Sequence, residues 1–173
     1  MPPLPVARPL ILLSNDDGYL APGIEVLRAE LAAFADVVLC APRTNQSASS
    51  HSLTLATVLR LSRIDEHVFA VDGTPADCVY VALHSGTRLL PRWPDMVVSG
   101  MNAGPNLGVD VIYSGTVAAV REGAQRGIPA VAISADVLAK RSAAANLGAS
   151  VVEGLWRRLV EAAEVPTPLF NVN

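Results

Sequence analysis

A short apolar run that stops at two adjacent carboxylates is the feature that most limits how this chain can fold. Residues 9–15 form this run, and Asp16 and Asp17 follow it at once. A continuous apolar run that ends in polar turn residues is typical of a strand in a parallel sheet covered on both faces. We therefore predict a buried first strand that brings Asp16 and Asp17 to its carboxyl end.

Predicted helices follow most of the predicted strands. Thr74 and Pro75 predict a helix start, because Thr caps the first turn and Pro suits its first position. Residues 116–126 are also predicted to be helical. Two more helices are predicted from one-sided apolar spacing, at Ile24, Leu27, Leu31 and Phe34 and at Leu147, Val151, Leu155 and Leu159.

The strand pattern then sets the fold class. Strands are predicted over residues 9–15, 36–41, 52–64, 67–71, 96–99, 130–134 and 169–172, with a loop over residues 100–115. Strands that alternate with helices predict a mainly parallel sheet with helices on both faces. We predict one α/β domain over residues 1–173, Rossmann-like, with three α/β/α layers.

Composition excludes several classes of protein. Of the 173 residues, 51% are apolar and 17% are charged, which predicts a packed core and argues against disorder. No apolar run approaches the roughly 18 residues of a spanning helix, and the first twelve residues do not resemble a signal peptide, so we expect a cytoplasmic protein. A formal charge of −3 with one lysine argues against duplex nucleic acid as a partner. Cys40 and Cys78 stand alone and are predicted to be buried, reduced thiols.

Ligands of open α/β sheets bind beyond the carboxyl ends of the strands, so the acidic pair marks the first candidate loop. Asp16 and Asp17 can face one point only if the backbone turns, and Gly18 permits that turn. Two close carboxylates repel each other, and a divalent cation such as Mg²⁺ or Mn²⁺ would remove the repulsion. The alternative is a solvated turn with an Asp helix cap.

Two further loops follow other predicted strands. Residues 42–51 offer hydroxyl and amide oxygens, but such residues are ordinary in loops. His51 is expected to be a loop residue, or one that supports the ligands from behind, rather than a ligand. The glycine-rich residues 99–108 lead to Ser114, Gly115 and Thr116 at a predicted helix start, where orphan N–H groups favour an anion. This is neither a Walker loop nor a GxGxxG sequence, and a simple capped helix is the alternative. Together the loops suggest metal-assisted phosphoryl chemistry.

Several sequence blocks are similar to one known family. They are residues 11–18, 21–24, 49–55, 73–79, 98–108 and 111–119. In this order they resemble the SurE (survival protein E) family of metal-dependent 5'-nucleotidases and acid phosphatases. The resemblance extends from Pro9 to Asn173, and it implies a Rossmann-like fold and hydrolysis of nucleoside 5'-monophosphates to nucleoside and phosphate.

The resemblance also implies roles for particular residues. It places one Mg²⁺ or Mn²⁺ ion on Asp16, Asp17, Ser47 and Asn102 and the substrate phosphate on Asn106, Ser114, Gly115 and Thr116. Either of the two aspartates is then the candidate catalytic base. Ala48 stands where many members have glycine, which is expected to stiffen the loop without removing a ligand.

Family members continue beyond the strand that precedes Asn173. In them the further region looks like an extended arm and a helix that help form a dimer, so a homodimer or higher homo-oligomer is expected where that region is present. Without it, an inactive metal-binding or assembly module is one alternative.

A phospho-receiver domain is the other alternative, because it also has an acidic pair after strand one. A receiver needs an Asp after its third strand and a late Lys, whereas residues 99–102 read Ser-Gly-Met-Asn and Lys140 follows no predicted strand.

Overall fold

The computed structural model describes residues 8–136, 140–162 and 167–173. The strands there are β1 (Leu10–Ser14), β2 (Asp36–Pro42), β3 (Leu61–Asp65), β4 (Val68–Val71), β5 (Met96–Ala103), β6 (Ala130–Ala135) and β7 (Leu169–Val172). The helices are α1 (Pro22–Leu31), α2 (Pro75–His84), α3 (Asp110–Tyr113), α4 (Gly115–Ala124) and α5 (Arg141–Glu161), with a 3₁₀ turn at Gly86–Arg88.

One sheet holds the seven strands in the order β3-β4-β2-β1-β5-β6-β7. Every neighbouring pair is parallel except β3 and β4, which are antiparallel. The apolar run of the sequence is β1, the central strand, and all five of its residues are buried. The predicted α/β class and mainly parallel sheet are therefore confirmed.

Side chains of β1 alternate between two apolar cores, one on each face of the sheet. Leu10 and Leu12 pack in the core that also contains residues of α2 and α4. Ile11 and Leu13 pack in the core formed with α1 and α5, where Trp156 is the largest side chain. Because helices cover both faces, β1 carries no polar side chain until Ser14, at the end where Asp16 and Asp17 follow.

The structure corrects three of the predicted element boundaries. The predicted strand over residues 52–64 is a strand only at Leu61–Asp65, because most of the preceding segment is exposed and it is not paired with another strand; Leu55 and Val58 are each 90% exposed. The predicted loop over residues 100–115 is shorter, since β5 continues to Ala103 and α3 intervenes. Helix α1 ends at Leu31, so Phe34 lies beyond it.

Helix α5 forms as predicted, but only part of the predicted face is buried. Leu159 is buried and Leu155 packs against the core, whereas Leu147 is 66% exposed. At the start of the helix the buried residues are small, and Gly148 lies so close to β6 that an added Cβ would stand 3.0 Å from Ile133. Close approach of the backbone therefore decides which residues pack at that end of α5.

Two other features of the described residues match expectation. Cys40 and Cys78 are free and buried, and the Cys40 thiol donates to the backbone oxygen of Cys78 at 3.3 Å. Burial raises the pKa of the Cys78 thiol well above its usual value. No helix within residues 8–136, 140–162 and 167–173 is long and apolar enough to span a membrane.

The contact between α1 and β5 gives a stability prediction. A Cβ added to Gly23 would lie 2.2 Å from the backbone oxygen of Met101, so Gly23→Ala must push α1 away from the sheet. We expect the free energy of unfolding to fall by about 1–3 kcal/mol, the usual cost of overpacking. Urea unfolding followed by circular dichroism measures it.

Gly154 provides the matched control in α5. It has open space around it, so Gly154→Ala is expected to raise stability by up to about 1 kcal/mol. Equal effects of the two substitutions would contradict the close approach of α1 to β5.

Candidate active site

A tight turn after β1 fixes the two carboxylates. The buried side chain of Asn15 donates to the backbone oxygen of Gly18 at 2.9 Å and accepts from its N–H at 3.2 Å. Gly18 has a φ of +102°, a backbone conformation that residues other than glycine rarely adopt. The predicted role of Gly18 is therefore confirmed, and the turn leaves Asp16 and Asp17 at the carboxyl edge of the central strand.

Asp16 is buried and is held from two sides. The residue is only 4% exposed, and its Oδ1 accepts from the hydroxyl of Thr116 at 2.5 Å. Its backbone oxygen accepts from the N–H of Gln46 at 2.7 Å, which attaches the second loop to the first. Burial raises the pKa of Asp16, and the charge of Asp17 acts in the same direction, against the opposing hydrogen bond from Thr116.

Asp17 borders a cleft of about 290 Å³ beside α1 and α5. The amide of Asn45 donates to Asp17 Oδ1 at 3.3 Å. Asn102 lines the same cleft, and its Nδ2 donates to the backbone oxygen of Gly104 at 2.8 Å, which leaves the amide oxygen as the group able to bind a cation. The structure thus brings Asp17 and Asn102, two of the four predicted metal ligands, to one cavity.

Ser47 lies in the second loop, next to Gln46 and therefore near Asp16. Its N–H donates to the side-chain oxygen of Asn45 at 2.9 Å, and the residue is exposed. Its hydroxyl does not line the cleft that Asp17 and Asn102 share. Ser47 is therefore positioned by the backbone of its loop, one residue from the contact that binds the loop to Asp16.

The donor set fits a hard divalent cation. Within residues 8–136, 140–162 and 167–173, no Arg, Lys or His forms an ion pair with Asp16 or Asp17. The same residues contain no cluster of three or more His, Cys, Asp or Glu side chains suited to a metal. A cation here would thus depend on two carboxylates and on neutral oxygens such as those of Ser47 and Asn102, which suit Mg²⁺ or Mn²⁺ better than softer metals.

The start of α4 lies against the buried carboxylate. Ser114 caps the helix, since its hydroxyl accepts from the N–H of Val117 at 3.1 Å. An added Cβ at Gly115 would lie 2.8 Å from the Cβ of Asp16 and 2.9 Å from Ser49 Oγ, so only glycine fits. The hydroxyls of Ser114 and Thr116 are bonded within the protein, and the Thr116 N–H acts on the Asp16 carboxylate, so an anion here would meet the N–H of Gly115.

Asn106, a predicted phosphate contact, is held by the last two strands of the sheet. Its Nδ2 donates to Ser134 Oγ at 2.9 Å, and the residue is 8% exposed. Its N–H donates to Asn173 Oδ1 at 2.7 Å, and its backbone oxygen accepts from Asn171 at 2.8 Å. The glycine-rich loop is therefore anchored to β7 through one residue.

Sequence reasoning missed several residues that the structure brings to the site. Arg141, the first residue of α5, lines the cleft with Asp17, and Asn45 contacts Asp17 directly. His51 is expected to be a loop residue or an indirect support of the ligands, and the structure adds its partner, Glu122 of α4, at 2.8 Å. The position of Arg141 after a strand end was a usable signal, whereas nothing in the sequence pairs His51 with a residue 71 positions away.

The sequence matches one family model and several proteins that carry the same family name. The family model described as "Survival protein SurE" matches residues 11–173. A "5'-nucleotidase SurE" of Sorangium cellulosum is 64% identical over 96% of this chain and 64% of its own length. A "5'/3'-nucleotidase SurE" of Citrobacter koseri is 50% identical over 94% of this chain and 62% of its own length.

A solved structure agrees as well. The crystal structure of the SurE protein from Aquifex aeolicus matches with a TM-score of 0.77 and 41% identity, over 86% of this chain and 60% of that one. The chain thus spans slightly less than two thirds of the length of these relatives.

The burial of Asp16 gives a pH-dependent prediction. Because its pKa in the folded chain lies above the unfolded value, ionisation of Asp16 costs folding free energy. That cost is absent at low pH, grows as the pH rises from the unfolded to the folded pKa, and persists above it. We expect Asp16→Asn to raise the free energy of unfolding at pH 7 in EDTA, with a gain that shrinks as the pH falls toward 4.

Urea unfolding at several pH values measures this effect, and Asp110→Asn, an exposed carboxylate on α3, is the control. An Asp16→Asn variant less stable than wild type at pH 7 in EDTA would show that the bond from Thr116 outweighs burial.

Proposed function

This chain belongs to the SurE family, and on that basis we propose that it hydrolyses nucleoside 5'-monophosphates to nucleoside and inorganic phosphate. The observation that carries the proposal is the buried Asp16 at the start of α4, next to Asp17 at the edge of a cleft, with no ion pair to either carboxylate among the described residues. The names of the relatives support a nucleotidase. This chain covers only 64% and 62% of the length of these two relatives, so we propose their activity for this chain.

We propose that one Mg²⁺ or Mn²⁺ ion is held by Asp16, Asp17, Ser47 and Asn102. The oxygen donors of these side chains support this assignment, as does the repulsion between the two carboxylates. When bound, the ion would supply Lewis-acid polarisation of the phosphoryl oxygens.

The two aspartates then have different roles. Thr116 and the surrounding burial fix Asp16, so it acts as a rigid anionic ligand. Asp17 borders the cleft, where substrate and water enter, so we assign it as the base that takes a proton from the attacking water. The oxygen of water forms the new bond to phosphorus, the bond to the nucleoside oxygen breaks, and that oxygen leaves with the proton that Asp17 took from the water.

The glycine-rich side of the site binds the phosphate. We assign the N–H of Gly115, at the start of a ten-residue helix, to the phosphoryl oxygens on which charge develops, with Thr116 held beside it by its bonds to Asp16. Ser114 supports them by capping the helix rather than by direct contact. Asn106 contributes through its side chain, which the bonds to Ser134 and β7 hold in place.

Two further proposals concern the cellular location and the oligomeric state. We propose a cytoplasmic protein, in agreement with two free, buried thiols, since reducing compartments keep thiols unpaired. We also propose a homodimer or higher homo-oligomer, because several apolar side chains near the site are more than half exposed, namely Leu107, Val109, Ile112 and Tyr113.

The alternative functions are distinguished by turnover. A receiver domain or an inactive metal-binding module would give no sustained release of phosphate from AMP, whereas the proposed enzyme gives release that EDTA abolishes. Asp17→Asn is expected to lower kcat by about 100-fold or more, the usual contribution of a positioned base. A colorimetric phosphate assay, with circular dichroism to verify folding, measures it. Asp110→Asn is the control, and equal kcat values for the Asp17→Asn variant and wild type would refute the assignment.

Arg141 generates a separate prediction on substrate binding. Its guanidinium lines the cleft and is suited to a substrate phosphate, with which it forms charge-assisted hydrogen bonds. We expect Arg141→Gln to raise KM for AMP by about 10-fold and to change kcat little. Lys140 is the preceding residue and does not line the cleft. Lys140→Gln removes the same charge and is expected to leave KM unchanged. A similar rise in both variants would indicate a general effect of charge.

A further inference from the structure

A buried acidic residue, Glu122, lies outside the proposed chemistry. It belongs to α4, and its side chain is 2% exposed. Its Oε2 lies 2.8 Å from His51 Nε2, and its Oε1 lies 2.6 Å from a guanidinium nitrogen of Arg126. A carboxylate so deeply buried needs partners, and it has one just after the end of its own helix and one on the second loop.

His51 connects this carboxylate to the loop that carries Ser47. The second loop comprises residues 42–51 and begins at the last residue of β2. It has two ionisable side chains, and Arg43 bonds Asp72 while His51 bonds Glu122. His51 is four positions beyond Ser47, so the bond to Glu122 fixes the end of the segment that must present the Ser47 hydroxyl.

The other contacts of the second loop lead to the same part of the molecule. The N–H of Ser50 donates to the backbone oxygen of Tyr113, and its hydroxyl donates to that of Ile112, both in α3 just before α4. Ser49 Oγ is buried beside Gly115, where even a methyl group would not fit. The loop thus packs closely against the start of α4, and the hydrogen bond between His51 and Glu122 attaches it to that helix.

Arg126 shares Glu122 but not the loop. It follows the end of α4, and its guanidinium lies over the ring of Tyr80 in α2, 5.2 Å from the ring centre. Loss of Arg126 therefore removes one partner of the buried carboxylate without releasing the loop. Substitution of Arg126 is therefore a matched control for substitution of His51.

We propose that His51 and Glu122 are positioning residues that hold the second loop so that Ser47 completes the cation site formed with Asp16, Asp17 and Asn102. This inference rests on the proposed function, which supplies the cation. The contact acts through the loop backbone, since neither residue lines the cleft. Its loss should weaken metal binding more than it weakens the fold.

Three variants test the inference. His51→Ala removes the contact, and His51→Gln keeps a donor near the position of Nε2. Arg126→Met removes the other partner of Glu122 and keeps an apolar chain beside Tyr80. For each variant and wild type, calorimetric titration with Mn²⁺ gives Kd, activation of AMP hydrolysis by Mn²⁺ gives the half-saturating concentration, and thermal unfolding in EDTA gives Tm.

We expect His51→Ala to raise Kd and the half-saturating Mn²⁺ concentration by about 10-fold or more, as for other residues that orient metal ligands. We expect His51→Gln to recover most of that loss, and Arg126→Met to lower Tm while Kd stays within about twofold of wild type. An unchanged Kd in His51→Ala overturns the inference, and so does an equal rise in His51→Ala and Arg126→Met. Wild type that binds Mn²⁺ without hydrolysing AMP overturns the activity alone, and wild type that binds no Mn²⁺ overturns both.

Discussion

The site depends on a carboxylate that is kept buried at the end of the central strand. Folding moves Asp16 out of water, and the hydrogen bond from Thr116 compensates only part of the cost, because its pKa remains raised. The surroundings follow from this constraint. Asn15 closes the turn, Gln46 holds the backbone of Asp16, and Gly115 allows α4 to approach it. The negative charge of Asp16, which the protein stabilises only in part, makes this location suitable for a cation.

Much of the fold could be predicted because it depends on local patterns. The apolar run of β1 marks a strand buried on both faces, and Thr74 with Pro75 marks the start of α2, where the structure shows the full capping box with Asp77. The patterns failed where an alternating segment is exposed to solvent, and where small residues rather than leucines pack against the sheet. Exposed residues before β3 alternate like a strand without forming one, and Gly148 rather than Leu147 faces the sheet in α5.

The candidate site was only partly predictable for a related reason. The position of Asp17 and Asn102 at one cleft follows from the rule that ligands bind at the carboxyl ends of parallel strands. Contacts between side chains of distant segments follow no such rule. His51 meets Glu122 only because the second loop folds over α4, and Arg141 reaches the cleft only because α5 packs against the sheet beside α1.

The attachment of Asn106 to β7 has a consequence for how the chain acquires its site during synthesis. The residues that hold the glycine-rich loop, Asn171 and Asn173, lie 65 and 67 positions after Asn106. Translation delivers β1 and the acidic turn early, and β5 joins them before β7 exists. A ribosome-bound chain can therefore pair its central strands while the loop beside Asn106 still lacks its support. The glycine-rich loop then gains this support only when β7 joins the sheet beside β6.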